Sequence, residues 1–503
     1  MPSTSSQPAG IQGPKQDAAP ATKPVWLVVL ACSLPMFMVA LDNLVVSTAL
    51  RTLAVELQAD TQDLQWFVNA YVLSFACLLL TGAALGDRFG RRRVFTLGIA
   101  AFTLASVYCG MADTSGELIL GRVFQGFGAA AVMPLSLTLL SHGIPDRLRG
   151  LALGLWSAIS GAAIAMGPVV GGAVVEGIAW QWIFWINVPV GLVAIPLAVV
   201  TLRESSTPST PLDLPGMVLA TGGVLALVWG IVNGETEGWT SPEVLLSFAG
   251  AVVLLAAFVQ WQRRAPAPLL PLSFYHSRSF TLSNLVSGTM YFGVFGSIFL
   301  LAQYLQVAPE RTALQAGVLT LTWTLVPMFI APIAGALTDR VGGGRLMALG
   351  LLLQGVGLSW INLVSGIDTP YAQLAAPMVI AGAGMGLVFA PTAAVVLGSV
   401  SRDHAGKASG ANITVREIGG AVGIAVLSSI FVAQGSDLNA QEFVNGMQPA
   451  IWTGVAVTLA GAVLALGIPR KPVVADSREK KEDQPAPRGP EAAAAPETPK
   501  AVA

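Results

Sequence analysis

The chain reads as an all-α integral membrane protein with fourteen transmembrane helices and disordered termini. Three observations predict this. The 503 residues are 54% hydrophobic and only 11% charged, with a mean hydropathy of +0.68, whereas soluble domains carry about 25% charged residues. Apolar stretches of about 20 residues, long enough to cross a bilayer, recur fourteen times between residues 25 and 468. Finally, the stretch LTGAALGDRFGRRR (Leu80–Arg93) returns in weaker form as GALTDRVGGGR (Gly335–Arg345). Each copy holds Asp-Arg with glycine three residues after the Asp: Asp87, Arg88, Gly90 and Asp339, Arg340, Gly342. One loop type used twice points to a duplicated bundle.

In chain order, residues 1–24 are rich in Ser, Pro, Ala and Gln and hold no apolar run. They read as a disordered cytoplasmic tail rather than a signal peptide, because the apolar stretch that follows is too long for an h-region. The spans then fall near 25–50, 63–83, 94–112, 117–139, 149–174, 182–201, 214–233, 243–261, 280–305, 316–337, 346–364, 371–398, 409–433 and 449–468. Residues 469–503 are charged and Pro/Ala-rich, a second disordered cytoplasmic tail. An even number of spans puts both ends on one side. With the N-terminus inside, the cytoplasmic loops carry fourteen Lys and Arg, and the opposite loops only Arg51 and Arg311. That bias fixes the orientation. The two Asp-Arg-x-Gly loops follow spans 2 and 10, so spans 1–6 (25–201) and 9–14 (280–468) are the repeated six-helix halves. Residues 202–262 supply two inserted helices, and 263–279 a cytoplasmic loop. Two parallel repeats suit a rocker that alternates access to a central site.

Several function classes are excluded by what is missing. The basic residues sit in short loops and the net charge is near zero, so no nucleic-acid footprint exists. Cys32, Cys77 and Cys109 all lie inside apolar runs, and the three histidines form no ligand cluster, so neither a metal nor a haem site is expected. No GxxxxGK[ST] loop binds ATP: the nearest fragment, Gly406-Lys407-Ala408, lacks the hydroxyl residue. No cofactor and no enzymatic activity are expected.

Five motifs, in order and at matching topological positions, carry a resemblance. GDRFGRRR (Gly86–Arg93), with Arg91 among its arginines, resembles the loop 2–3 signature of the major facilitator superfamily, with Ala83 where many members have Gly. GRVFQGFGAA (Gly121–Ala130) resembles its span-4 signature. GPVVGG (Gly167–Gly172, with Pro168 and Gly171) resembles its antiporter signature. LDNLVVSTAL (Leu41–Leu50) and WQWIFWINVPVG (Trp180–Gly191) resemble motifs of its fourteen-span drug:proton antiporters. The resemblance covers roughly residues 25–468. It implies secondary active export of a small amphipathic organic compound, an antibiotic or dye, across the cell membrane by alternating access, driven by protons and conferring resistance to one drug or several. Self-resistance pumps of antibiotic producers, puromycin-type pumps among them, look similar. A proton-coupled nutrient importer of the same fold, or a membrane partner of a separate ATPase, are the alternatives. A monomer is expected.

The residues add their own argument. In span 5, Gly150, Gly154, Ser157, Gly161, Ala165, Pro168 and Gly172 fall in one narrow stripe at about 100° per residue, where small residues let helices approach closely. Gly167-Pro168 weakens that helix locally, a bend that bears on which side opens. Four ionisable side chains sit well inside spans: Asp42, Arg122, Arg416 and Glu417. Intramembrane charges usually line a polar pathway. Asp42 and Arg122 lie at comparable depth in the outer half. They form either a structural ion pair or, on the functional reading, a proton-carrying acid and the group that responds to its charge, helped by Gln125. Arg416 is as suited to snorkelling as to function. Glu417, some 100° away and expected in a different environment, is a second candidate for proton coupling or for attracting a cation. Arg88 and Arg91–Arg93 serve at least to anchor topology. Asp87 opposes that charge and is read as one side of a latch holding the outward-facing state. Trp66, Tyr71, Trp180, Trp182 and Trp185 are read as interfacial belt residues.

Overall fold

The computed structural model describes residues 24–206, 211–307, 311, 313–435 and 439–470. Most of both expected tails lies outside the described residues. Sixteen α-helices build fourteen apolar layers, and no strand occurs among the described residues. They are α1 (Val25–Glu56), α2 (Thr61–Phe89), α3 (Arg91–Cys109), α4 (Ser115–Gly143), α5 (Asp146–Gly177), α6 (Trp182–Trp185), α7 (Asn187–Thr201), α8 (Leu214–Glu237) and α9 (Pro242–Gln262). They continue as α10 (Arg278–Val307), α11 (Ala313–Thr324), α12 (Val326–Val341), α13 (Gly343–Val364), α14 (Tyr371–Gly398), α15 (Ala405–Gln434) and α16 (Ala440–Leu466). Two expected spans are broken: the sixth into α6 and α7, the tenth into α11 and α12, just before Pro327. Among the described residues, thirteen segments are long and apolar enough to cross a bilayer. The remaining layer is α3, whose first turn is the arginine run Arg91–Arg93.

The basic loop is tighter than its sequence suggests. Leu80–Phe89 is not a turn but the end of α2, and the chain reverses at Gly90 alone, where φ is +111°. Gly342 does the same between α12 and α13 at φ +100°. A side chain at either position would be strained, since only glycine adopts that region freely. Eight residues past each of these glycines stands another, Gly98 and Gly350. There α3 touches Gly128 of α4, and α13 touches Gly384 of α14, backbone against backbone. Small residues permit that approach where burial of oil against oil gives no drive.

The helix partners repeat as well. α1 packs on α5 and α7 as α10 packs on α15 and α16, while α2 and α3 pack on α4 as α12 and α13 pack on α14. The halves meet along two seams, α5 against α11–α12 and α2 against α15. The small-residue stripe of α5 is the first seam: Gly150 lies on Gly335, Gly154 on Ala331 and Pro332, Gly161 on Pro327 and Gly172 on Leu314. α5 runs as one helix through Gly167 and Gly171; the side chain of Pro168 lies outside the described residues.

The inserted pair α8–α9 lies beside the second seam. Thr221 of α8 hydrogen-bonds Thr81 of α2 at 3.3 Å, and Trp239 donates to Ser429 of α15 at 2.9 Å. Only 17% of the apolar stretch of α9 is buried, against 78% for α4. α9 is therefore peripheral and α4 central. Leu246, Val252 and Val253 face outward from α9, an apolar surface suited to lipid rather than water.

Candidate functional site

A charged network lies in the interior of the first half. Asp42 of α1 is 1% exposed and Arg122 of α4 is fully buried. The two charges, placed at comparable depth, form an ion pair: Arg122 Nη1 stands 2.5 Å from Asp42 Oδ2. The other carboxylate oxygen, Oδ1, accepts from Asn187 Nδ2 at 2.7 Å and Gln125 Nε2 at 3.1 Å. Both amides also donate to Ser106 Oγ, at 3.2 and 2.8 Å. Arg122 is held further by the Phe67 carbonyl at 2.9 Å and Gln125 Oε1 at 2.8 Å. Four side chains from three helices thus position one carboxylate. Asn187 reaches it because α6 ends at Trp185 and α7 restarts at Asn187.

Tyr71 connects this network to a cavity. The Arg122 guanidinium lies 4.3 Å above the Tyr71 ring, and the Tyr71 hydroxyl donates to the Val39 carbonyl at 3.2 Å. Tyr71 and Phe75, stacked at 5.8 Å, form one wall of a cavity of about 50 Å³ between the halves. Tyr291 and Phe295 of α10, stacked at 5.1 Å, form the facing wall with Arg416 and Glu417 of α15. Arg416 is buried, its guanidinium 4.4 Å over Tyr291 and 5.7 Å from Phe389. Its Nε and the Tyr291 hydroxyl have no hydrogen-bond partner among the described residues. Leaving such a donor unmet costs about 1–3 kcal/mol.

Tyr71 is not a belt residue but 1% exposed, because its ring is covered by Arg122. Trp180 is likewise buried, packed edge-on to Phe184; Trp182 remains exposed at 44%. Arg416 does not snorkel, and Glu417 shares its environment: both line the one cavity, since two aromatic rings hold the guanidinium inward.

At the arginine-rich face, Asp87 and Arg91 cross between the halves. Arg91 Nε lies 2.7 Å from Asp87 Oδ1, and its Nη2 donates to the Asp403 carbonyl at 2.8 Å, on the second half. His142 Nδ1 lies 2.9 Å from the Thr138 carbonyl and donates to it, leaving Nε2 to accept from Arg91 Nη1 at 2.9 Å. The Asp87 carboxylate lies against Gly406 in the first turn of α15, where the helix dipole favours an anion. Glu204 caps α3 by accepting from the Arg92 and Arg93 amides at 3.0 and 3.2 Å. Arg88 lines a small pocket with Asp213 and Lys407. Asp339 and Arg340 make no such contact with any described residue: both are exposed, and the Arg340 carbonyl accepts from Arg470 at 3.0 Å. The repeat shares the turn but not the contact between the halves.

Asp213 organises the insert on this face. It accepts from Trp261 at 2.6 Å, Gln262 at 2.7 Å and the Gly216 and Leu269 amides at 2.9 and 3.0 Å. Burial pushes its carboxyl up, but those four hydrogen bonds outweigh it and hold it below the usual carboxylate value. Lys407 donates to the Pro268 carbonyl of the same loop at 2.6 Å. A larger cavity of about 570 Å³ opens on this face beside His142 and Arg402, and shares no residue with the buried network.

Sequence reasoning missed Asn187, Ser106 and the role of Tyr71. An amide inside the apolar run WINVPVG was the available signal for Asn187.

The sequence profile of the Major Facilitator Superfamily matches residues 32–424 and again 280–499. The tetracenomycin C resistance and export protein of Streptomyces glaucescens is 31% identical, over 88% of this chain and 83% of its own length. The puromycin resistance protein pur8 of Streptomyces alboniger is 32% identical, over 91% of this chain and 92% of its own. Among solved structures, a proton:xylose symporter, XylE, bound to 6-bromo-6-deoxy-D-glucose, superposes with a TM-score of 0.65 at 14% identity, over 91% of this chain and 98% of that one. At that identity the likeness is one of fold.

Proposed function

As the chain belongs to the Major Facilitator Superfamily and is a multi-pass membrane protein, we propose that it is a proton-driven antiporter that exports amphipathic drugs or antibiotics across the cell membrane. The resistance and export named for its relatives support the export reading. The arginine bias supports an orientation with the α2–α3 face, and both termini, in the cytoplasm. One chain holds both halves and the cavity between them, so a monomer suffices for transport.

The observation that carries proton coupling is the buried Asp42 carboxylate with donors on both oxygens and Tyr71 between it and the cavity. Removing one partner of a buried ion pair costs about 3–5 kcal/mol. A proton falling through about 100 mV supplies about 2.3 kcal/mol, less than that cost. Protonating Asp42 is therefore affordable only because Arg122 keeps Phe67, Gln125 and the Tyr71 ring as partners. The guanidinium then shifts its weight onto Tyr71, and so onto the cavity wall. Glu417, lining the cavity without an ion-pair partner among the described residues, is the second acid reached by protons. The Arg91 bridge to Asp403 holds the cytoplasmic face closed while the site faces outward.

Dye flux in liposomes containing only this protein tests the reading. Proton entry through the protein should drive dye the opposite way, and a protonophore should stop it. Flux that needs ATP or a second protein, or that runs with the proton, would overturn it.

A further inference from the structure

We infer that the cavity between the halves takes a planar aromatic molecule bearing both a protonated amine and a hydrogen-bond-accepting oxygen, with Glu417 holding the amine and Arg416 and Tyr291 the oxygen. This names the substrate class of the exporter proposed above and rests on that reading.

The walls set the shape. Tyr71 and Phe75 stack on one half, Tyr291 and Phe295 on the other. Two facing pairs of rings favour a flat guest, because offset ring stacking adds to simple burial. The cavity of about 50 Å³ is far smaller than the roughly 300 Å³ that a drug-sized ligand needs. A guest therefore enters by parting the two walls, which belong to different halves.

The polar groups set the chemistry. Arg416 Nε and the Tyr291 hydroxyl are buried donors with no acceptor among the described residues, and both residues line the cavity. They call for an oxygen acceptor from the guest. Glu417 has no hydrogen bond or ion pair with any described residue and lines the same cavity, calling for a donor, best a cation. A simple cation would meet Arg416 and a simple anion Glu417. Adjacent positions on α15 thus disfavour either charge alone and accept a molecule that answers both.

Equilibrium binding to the purified full chain in lipid nanodiscs tests this without any gradient. The probes are 10-(2-dimethylaminoethyl)acridone, with amine and carbonyl; 10-butylacridone, without the amine; and 10-butyl-9,10-dihydroacridine, without either. Fluorescence anisotropy reads the first two, and competition the third. The native chain should bind the amine-bearing probe at least tenfold more tightly than butylacridone. Glu417→Gln should erase that preference and leave butylacridone within twofold. Tyr291→Phe, which keeps the ring, should weaken both acridones about fivefold and leave the dihydroacridine unchanged. Equal binding of all three probes, no binding of any, or a Glu417→Gln loss shared alike by the two acridones would overturn the assignment. Failure of gradient-driven flux, with this selectivity intact, would instead count against antiport.

Discussion

Gly150 of α5 and Gly335 of α12 meet backbone to backbone: a Cβ on either would fall on the carbonyl oxygen of the other. The contact closes the seam between the halves at the arginine-rich face, and no rotamer can relieve a clash with a backbone atom. Gly150→Val should therefore separate the helices there. Overpacking costs about 1–3 kcal/mol, and about 1.4 kcal/mol is a factor of ten. Closure of that face should weaken by about five- to 150-fold. A cysteine placed at Ser157, itself buried in the stripe, would report this as faster maleimide labelling alongside slower drug flux. Unchanged labelling would show that the seam does not close the face.

Arg91 spends three separate nitrogens on Asp87, His142 and the Asp403 carbonyl. Lysine offers one compact charge and cannot reproduce the fork. Losing a hydrogen bond to a charged group costs about 1.5–3 kcal/mol. Arg91→Lys should reduce drug flux by at least tenfold while substrate affinity stays within about twofold. An equal loss of affinity would show that the contact shapes the binding site rather than the transition between states.

Asn187 donates to Asp42 and to Ser106. Asn187→Leu keeps the branching of the side chain and removes both bonds. Proton-driven flux should fall about tenfold, with the helical content and detergent stability of the protein retained. Native flux in this variant would remove Asn187 from the network that sets the carboxylate.

Asp213 predicts a pH effect with a defined sign. Its folded carboxyl titrates below the ordinary value of 3.8. Its stabilisation is therefore present above that value and is lost as the pH falls through the lower folded one. The melting temperature of Asp213→Asn should lie below native at pH 7, and the gap should narrow as the pH drops below about 4. A gap that is constant with pH would contradict the charged-hub role.

The fold was legible because its cues are long and additive. Fourteen apolar runs, the arginine bias and a loop repeated at Asp87 and Asp339 each follow from the bilayer's demands on backbone and charge. The α5 stripe was legible for the same reason: small residues at helical spacing have few uses other than close approach. The Asp42–Arg122 pair was visible as two costly charges at one depth, but not as a contact. What stayed hidden depends on direction. Tyr71 near a span end and Trp180 near another look alike in sequence to the exposed Trp182. Only packing turns Tyr71 beneath Arg122. Arg416 and Glu417, adjacent on one helix, come to share a cavity because Tyr291 and Phe389 hold the arginine inward. The breaks before Asn187 and Pro327 were likewise invisible to hydropathy, which reads both as continuous spans.

On the proposed reading Asp42 carries the coupling proton. Drug flux through liposomes holding Asp42→Asn tests it, measured once with an imposed pH gradient and once as exchange between equal drug concentrations. Gradient-driven flux should disappear while exchange persists, because asparagine fills the site beside Arg122, Gln125 and Asn187 without binding a proton. Gradient-driven flux at the native rate in Asp42→Asn would contradict it and leave Glu417 as the coupling acid.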